Sequence, residues 1–180
     1  MNKIPTLFLR SATNRFITTE VHPLCQWVLD GEGTATRKYD GTCIRYDGAR
    51  WWARREVKPG KKAPEGFVEV SFDLVTEKAM GWEPIEGSGF LRIVIEAHEN
   101  YPDRDYLPGT YELCGPKVNG NPERFDQHIL IRHDDAEKFV APREYVQLAE
   151  WMAATTYEGI VWHHPDGRMA KLKRRDFGHN

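Results

Sequence analysis

TATRKYDGTCIRYDGARWWAR, from Thr34 to Arg54, packs three short runs rich in β-branched and aromatic residues into 21 positions. Thr34–Tyr39, Thr42–Tyr46 and Ala49–Arg54 read as strands, because such side chains suit a pleated, half-buried surface. Asp47-Gly48 between the last two is a two-residue hairpin signal. Working outward, Thr110–Cys114 and His128–Arg132 read as further strands. Glu158–His164 and Met169–Arg174 flank Pro165-Asp166-Gly167, a second hairpin signal. Two stretches read as helices. One starts with Pro142 in its first turn and runs to about Ala154, with Tyr145, Val146, Leu148, Ala149 and Met152 as its apolar stripe. The other is Ser88–Asn100 with Ser88 as its cap, although Leu91–Ile95 also suits a buried strand. Lys58–Glu65, Trp82–Gly89 and Tyr101–Gly109 carry Pro and Gly and read as loops. Strands outnumber helices without βαβ alternation, so the expected class is α+β built on antiparallel sheets.

Composition bounds the rest. The 180 residues suffice for one well-packed domain, and 40% hydrophobic content with six Trp, seven Tyr and eight Phe supplies a core. Against 27 Asp and Glu stand 25 Lys and Arg, a net charge of −2, which excludes a polybasic protein forced onto nucleic acid by total charge. No apolar run reaches the ~18 residues of a membrane span, and the N-terminal residues offer no apolar segment long enough for a signal peptide. Cys25, Cys43 and Cys114 form no CxxC pair, so the expectation is a reduced, intracellular (cytoplasmic) protein with no membrane partner. No repeat or Ser/Gly linker divides the chain, and one domain over 1–180 is expected.

Chemistry concentrates at Lys38-Tyr39-Asp40-Gly41-Thr42, a lysine at a strand end followed by a carboxylate and a turn-forming glycine. A lysine attacks only when neutral. With an ordinary pKa of about 10.4, about one molecule in a few thousand is neutral at pH 7, unless burial or nearby cations lower that pKa. Lys171 and Lys173 are two apart on a strand, so they share a face while Leu172 turns to the core. Two ammonium groups on one face suit a polyphosphate. Glu112 and Glu158 sit in otherwise apolar strands, where a carboxylate is costly unless it meets a solvated pocket or an ion.

Taken in order, KYDGT (Lys38–Thr42), YELCG (Tyr111–Gly115), EGIVW (Glu158–Trp162) and KLKRRDFG (Lys171–Gly178) resemble motifs I, III, IV and V of the covalent nucleotidyltransferase superfamily. That superfamily holds ATP-dependent RNA and DNA ligases and GTP-dependent mRNA capping enzymes. KYDGTC together with the GIVW–KLKRRDFG ending most resembles its stand-alone 5′–3′ RNA ligases. The resemblance implies two antiparallel β-sheets with flanking helices clamping ATP, and a lysyl–AMP formed on Lys38 with release of pyrophosphate. AMP then passes to an RNA 5′-phosphate, and a 3′-hydroxyl displaces it.

By the same resemblance Glu112 contacts the ribose, Glu112 and Glu158 support Mg2+ or Mn2+, and Lys171 and Lys173 hold the α-phosphate. Asp40 and Gly41 shape the loop presenting Lys38, and Arg55 grips the nucleotide. The seven residues after Lys173 leave no room for the appended OB-fold of larger relatives. Phe72, Phe125 and His128 are the candidates for the base-stacking aromatic that the resemblance implies.

Residues Arg50–Lys62 place six cations around Trp51 and Trp52, and Arg168–Arg175 adds five more. Arg50, Arg54, Lys58, Lys61, Arg174 and Arg175 are therefore candidate RNA contacts. Trp51-Trp52 faces both sides of a strand, so at least one is core. His163-His164 lacks a third ligand at metal spacing and reads as structural, Gly31-x-Gly33 as a turn, and Glu137, Glu144 and Glu150 as surface charge. The rivals are a capping-type guanylyltransferase, a DNA ligase, or a non-catalytic nucleotide- or RNA-binding module. Intact Lys38, Glu158, Lys171 and Lys173 favour an enzyme.

Overall fold

The computed structural model describes residues 4–178. They gather into two compact units, one of residues 40–135 and one of residues 4–39 with 136–178. The strands in chain order are β1 (Phe8–Arg10), β2 (Ile17–Val21), β3 (Thr34–Lys38), β4 (Thr42–Tyr46), β5 (Trp51–Val57) and β6 (Val68–Asp73). There follow β7 (Lys78–Pro84), β8 (Gly109–Cys114), β9 (Ile129–Arg132), β10 (Lys138–Phe139), β11 (Gly159–His163) and β12 (Met169–Lys173). The α-helices are α1 (Gln26–Leu29), α2 (Leu91–Asn100) and α3 (Tyr145–Ala154). This is an α+β chain whose ladders all run antiparallel, with one isolated parallel bridge between Thr6 and Lys171.

In the unit of residues 4–39 and 136–178, a four-stranded sheet has the order β10-β3-β11-β12 beside the two-stranded ribbon β1-β2. Pairing puts Ala35, Ile160, Trp162, Ala170 and Leu172 on one face of that sheet. They are buried with Trp27 and Val28 of α1, Leu148 and Met152 of α3, and Leu7, Phe8 and Ile17. Full burial of each large side chain is worth ~1.5–3 kcal/mol, so this face fixes the sheet, and the alternate residues are left for the other face.

The helix α3 begins at Tyr145, three residues later than Pro142 implies. Arg143 accounts for the delay. Its guanidinium donates to the carbonyls of Val28, Glu32 and Gly33, which ties the entering segment to the end of α1. Leu148 and Met152 are buried as the stripe requires, whereas Val146 is exposed.

In the unit of residues 40–135 the six strands run β6-β7-β5-β4-β8-β9. Ile44, Ala53, Tyr111, Leu113 and Leu130 bury one face against Val94 and Ala97 of α2. The helical reading of residues 88–100 holds, but Phe90 is the cap position. The Ser88 hydroxyl instead accepts from Phe90 N–H and its carbonyl from Leu91 N–H, closing a turn before the helix.

Several local expectations change. Residues 82–84, read as loop, finish β7, and β6 was not expected at all. The β4–β5 hairpin uses four residues rather than two: Asp47 N–H donates to the Arg50 carbonyl, while the Asp47 carboxylate accepts from the N–H groups of Ala49 and Arg50. Trp51 is the core member of its pair, stacked on Tyr46 at 4.7 Å and near His98, Tyr106 and Tyr111. Trp52 faces away and donates to Asp47 at 2.7 Å.

Candidate active site

Antiparallel register sets Lys38, Gly159 and Lys173 side by side across β3, β11 and β12. Two residues along, Thr36, Val161 and Lys171 form the next row of the same face. The core residues Ile160, Leu172, Trp162 and Ala170 occupy the opposite face, so the alternation that buries them also aligns the three lysines. Gly159 must lack a side chain. A Cβ there falls 2.1 Å from the Leu172 carbonyl oxygen and 2.9 Å from Lys173 Cα.

Glu158, one residue before β11, receives both ammonium groups of the first row. Lys38 Nζ donates to Oε2 at 2.5 Å and Lys173 Nζ to Oε1 at 2.6 Å. The side chains are largely enclosed, 12% exposed for Glu158, 21% for Lys38 and 17% for Lys173. Charge-assisted bonds in that setting are short and strong. Burial pushes the Glu158 carboxyl up, but Lys38 and then Lys173 outweigh it and hold the carboxyl below the usual range. The Glu158 carbonyl accepts from Arg174 N–H at 2.8 Å, which pins the backbone beneath the carboxylate. Lys171 is half-buried, and its backbone bonds to Pro5 and Leu7 secure the outer edge of β12. His163 contacts the Thr36 hydroxyl at 3.0 Å.

The unit boundary falls between Tyr39 and Asp40, inside KYDGT, and the second half of that motif is anchored in the other unit. Gly41 N–H donates to Glu112 Oε1 at 3.0 Å, and Asp40 N–H to Glu123 Oε1 at 2.8 Å. Asn119 donates its side-chain amide to Asp40 Oδ1 and to the Gly41 carbonyl. Gly41 has no space for more: a Cβ there lies 2.2 Å from the Leu113 carbonyl oxygen. Glu112 is buried, and its Oε2 meets His133 Nε2 at 3.0 Å, while His133 Nδ1 meets the Thr110 hydroxyl at 2.8 Å.

Asn119, Glu123 and His133 had not been singled out. Glu123 and Asn119 lie in a loop where Asn119, Asn121 and Arg124 all adopt positive φ, which the Gly- and Asn-rich stretch NGNPE signals. His133 follows β9 directly, and only the β8–β9 register brings it beside Glu112.

The cations of residues 50–62 do not form one patch. Arg50 lies at the hairpin, 3.9 Å from Glu86 and over the Trp52 ring, about 13 Å along the strand from Arg54 and farther from the others. Arg54, Arg55, Lys58, Lys61 and Lys62 surround a cleft at the far end of β5. Arg55 is half exposed, with its Nε 3.8 Å from Glu83. Arg174 and Arg175 belong to the other unit, in the turn Arg174–Phe177.

His128 is excluded as a base-stacking residue because it is buried, with Nδ1 2.9 Å from Glu96 and Nε2 accepting from Lys117 N–H. Phe125 is half-buried, and Phe72 is half exposed. Glu137 is not a merely solvated charge; it pairs with Arg37 and accepts from the Tyr157 hydroxyl. Cys25, Cys43 and Cys114 are unbridged, and burial raises the Cys25 thiol to about 11. No helix among the described residues is long and apolar enough to cross a membrane.

Among the described residues no three His, Cys, Asp or Glu side chains cluster as metal ligands. Mg2+ commonly takes one or two carboxylates and completes its shell with substrate phosphates and water. Both Glu158 oxygens are taken by Lys38 and Lys173, so a metal ion there would have to displace an ammonium group. Both Glu112 oxygens already have protein donors, yet each keeps a lone pair for a further contact.

Comparison with known proteins supports the resemblance to RNA ligases. The RNA ligase 1 family model matches residues 86–180, just over half of the chain. Glu112, Glu158, Lys171 and Lys173 fall inside the match, and Lys38 precedes it. The chain is 33% identical to RNA ligase 1 of Danio rerio over 102 residues, which is 52% of this chain and 30% of that protein. It is 32% identical to RNA ligase 1 of Pongo abelii over 102 residues, again 52% of this chain and 30% of that protein. RNA ligase 1 of Rattus norvegicus is 31% identical over 86 residues, 43% and 26% of the two chains. The chain thus spans less than a third of the length of these relatives. With more than half of its residues matched by one family model, the chain belongs to the RNA ligase 1 family.

Proposed function

We propose that the chain is one nucleotidyltransferase-type catalytic domain of an ATP-dependent RNA ligase, joining a 5′-phosphate to a 3′-hydroxyl through a lysyl–AMP on Lys38. The observation that carries this reading is the Lys38–Glu158–Lys173 array on the face of the four-stranded sheet opposite its core. Lys38 donates to Glu158, and an amine with all its protons has no lone pair to give. One proton must therefore leave Lys38 before attack. Glu158 is the adjacent acceptor, and a phosphate that draws Lys173 toward itself frees one side of that carboxylate.

In the first step the Lys38 nitrogen bonds to the α-phosphorus of ATP while the bond to the β-phosphate oxygen breaks and pyrophosphate leaves. In the second, an oxygen of the RNA 5′-phosphate bonds to the adenylyl phosphorus and Lys38 is released. In the third, a 3′-hydroxyl attacks that 5′-phosphate, loses its proton, and AMP departs. Lys171 and Lys173 on one face supply fixed positive charge for the phosphate oxygens on which charge develops. Glu158 is assigned to Mg2+ or Mn2+ once a phosphate has drawn an ammonium group away, and the ion when bound would neutralise phosphate charge. The buried Glu112–Gly41 bond supports a role for Glu112 in fixing the Asp40-Gly41 turn beside the ribose, and Arg55 is assigned to the nucleotide.

The test is incubation with α-labelled ATP or GTP and Mg2+, followed by denaturation. Label from ATP that disappears in Lys38→Ala is the expected result. Label from GTP instead makes the protein a guanylyltransferase, and no label from either makes it a binding module.

A further inference from the structure

Apart from Arg55, the catalytic proposal leaves unused the far end of β5, where two cavities adjoin. Arg54, Arg55, Lys58, Lys61 and Lys62 line a cleft of about 600 Å³ together with Val57 and Glu56. That carboxylate is already bound by Lys78 at 3.0 Å. Arg55 turns toward Glu83, which leaves Arg54, Lys58, Lys61 and Lys62 on the cleft lining against one neutralised acid, a balance that suits a polyanion. Val57, Lys58 and Lys61 also line a second pocket of about 420 Å³.

The floor of this second pocket is apolar, made by Phe67, Phe72, Ala79 and Val57. The tip of the Phe67 ring packs against Gly81, where an added Cβ would meet its Cζ at 2.6 Å. Phe72 leaves half of its surface in water although it belongs to a strand. Lys58 and Lys61 are presented by one turn, closed by Lys61 N–H donating to the Lys58 carbonyl. The acids on the pocket are Glu69 and Glu77. They repel a phosphate from the floor but accept from the exocyclic amines of a base.

We infer that this paired cleft and pocket bind a single-stranded RNA segment, with phosphates among Arg54, Lys58, Lys61 and Lys62 and a base against Phe67 and Phe72. The identity of the polyanion as RNA rests on the ligase reading above. Single strands are required because a base must leave its stack to reach an aromatic floor.

A short fluorescein-labelled oligoribonucleotide, alone and as a blunt duplex, tests this by fluorescence anisotropy at two salt concentrations. The single strand is expected to bind at least about tenfold tighter than the duplex. Lys61→Glu, an exposed change, is expected to weaken binding by about tenfold and to flatten the salt dependence. Phe72→Leu keeps the apolar volume and is expected to weaken binding about fivefold with the salt dependence intact. Equal binding of strand and duplex, or wild-type affinity in either variant with an unchanged circular dichroism spectrum, overturns the site. Labelling of the wild-type protein by α-labelled ATP without RNA is read in parallel. Its failure removes the lysyl–AMP mechanism and leaves the anisotropy result to judge the RNA site separately.

Discussion

At the residue scale one carboxylate joins two lysines from different strands. Glu158 binds two ammonium groups at once in an enclosed position. Replacing it by Gln keeps the volume but leaves Lys38 and Lys173 as like charges with no anion between them. Removing one member of a buried ionic group costs more than the pair was worth, because the survivors stay desolvated. Since the three side chains retain 12–21% exposure, the expected loss for Glu158→Gln is about 1–3 kcal/mol by urea titration. Labelling from ATP is expected to fall at least 100-fold by analogy with the loss of one preorganised charged group, an order-of-magnitude figure. Wild-type labelling in that variant removes Glu158 from the chemistry, and an unchanged unfolding midpoint removes it from the structure.

At the scale of elements, two glycines hold the geometry. Gly159→Ala puts a methyl group 2.1 Å from the Leu172 carbonyl, so β11 and β12 must separate, and Lys173 moves relative to Glu158. A melting temperature several degrees lower, together with lost labelling, is expected; a melt indistinguishable from wild type contradicts the packing. Gly41→Ala meets the Leu113 carbonyl at 2.2 Å and is expected to disturb β4–β8 and the Glu112 contact in the same way. How far such elements were legible depended on how local their causes are. KYDGT, EGIVW and the two Gly-containing turns are short patterns whose alternation and turn chemistry act within a few residues, so β3, β4, β11 and β12 were foreseen to within a residue or two. The start of α3 was not, because Arg143 is held by carbonyls more than 100 residues earlier in the chain. Strand β7 escaped because Gly81 and Pro84 look like breakers, although Gly81 is demanded by the close approach of the Val68 carbonyl and the Phe67 ring. The Glu112–His133 and Asp40–Glu123 contacts likewise exist only once strands are paired.

For the whole molecule, the depressed carboxylates and His98 make both units lose stability in acid. His98, in the unit of residues 40–135, is held below its ordinary value by burial beside Trp51 and Tyr106. Its folded form resists protonation, so its contribution is complete above the unfolded value of about 6.5 and declines as pH falls below it. Asp47 in the same unit is lowered to about 2, first by the Arg50 N–H, then by those of Ala49 and Trp52. Asp166 in the other unit is lowered to about 2, first by the Arg168 N–H, and Glu158 is lowered by its two lysines against the opposing effect of burial. A carboxylate whose folded value is depressed stabilises the protein above its unfolded value of about 4 and loses that contribution as pH falls through the folded one. The urea midpoint is therefore expected to decline gently below about pH 6.5 and steeply from about pH 4 toward pH 2. His98→Phe is expected to remove the shallow phase, since the ring packs without a proton to gain, and Glu158→Gln to reduce the steep one. A midpoint constant down to about pH 3 contradicts these assignments, because the unfolded carboxyls would by then have taken up most of their protons.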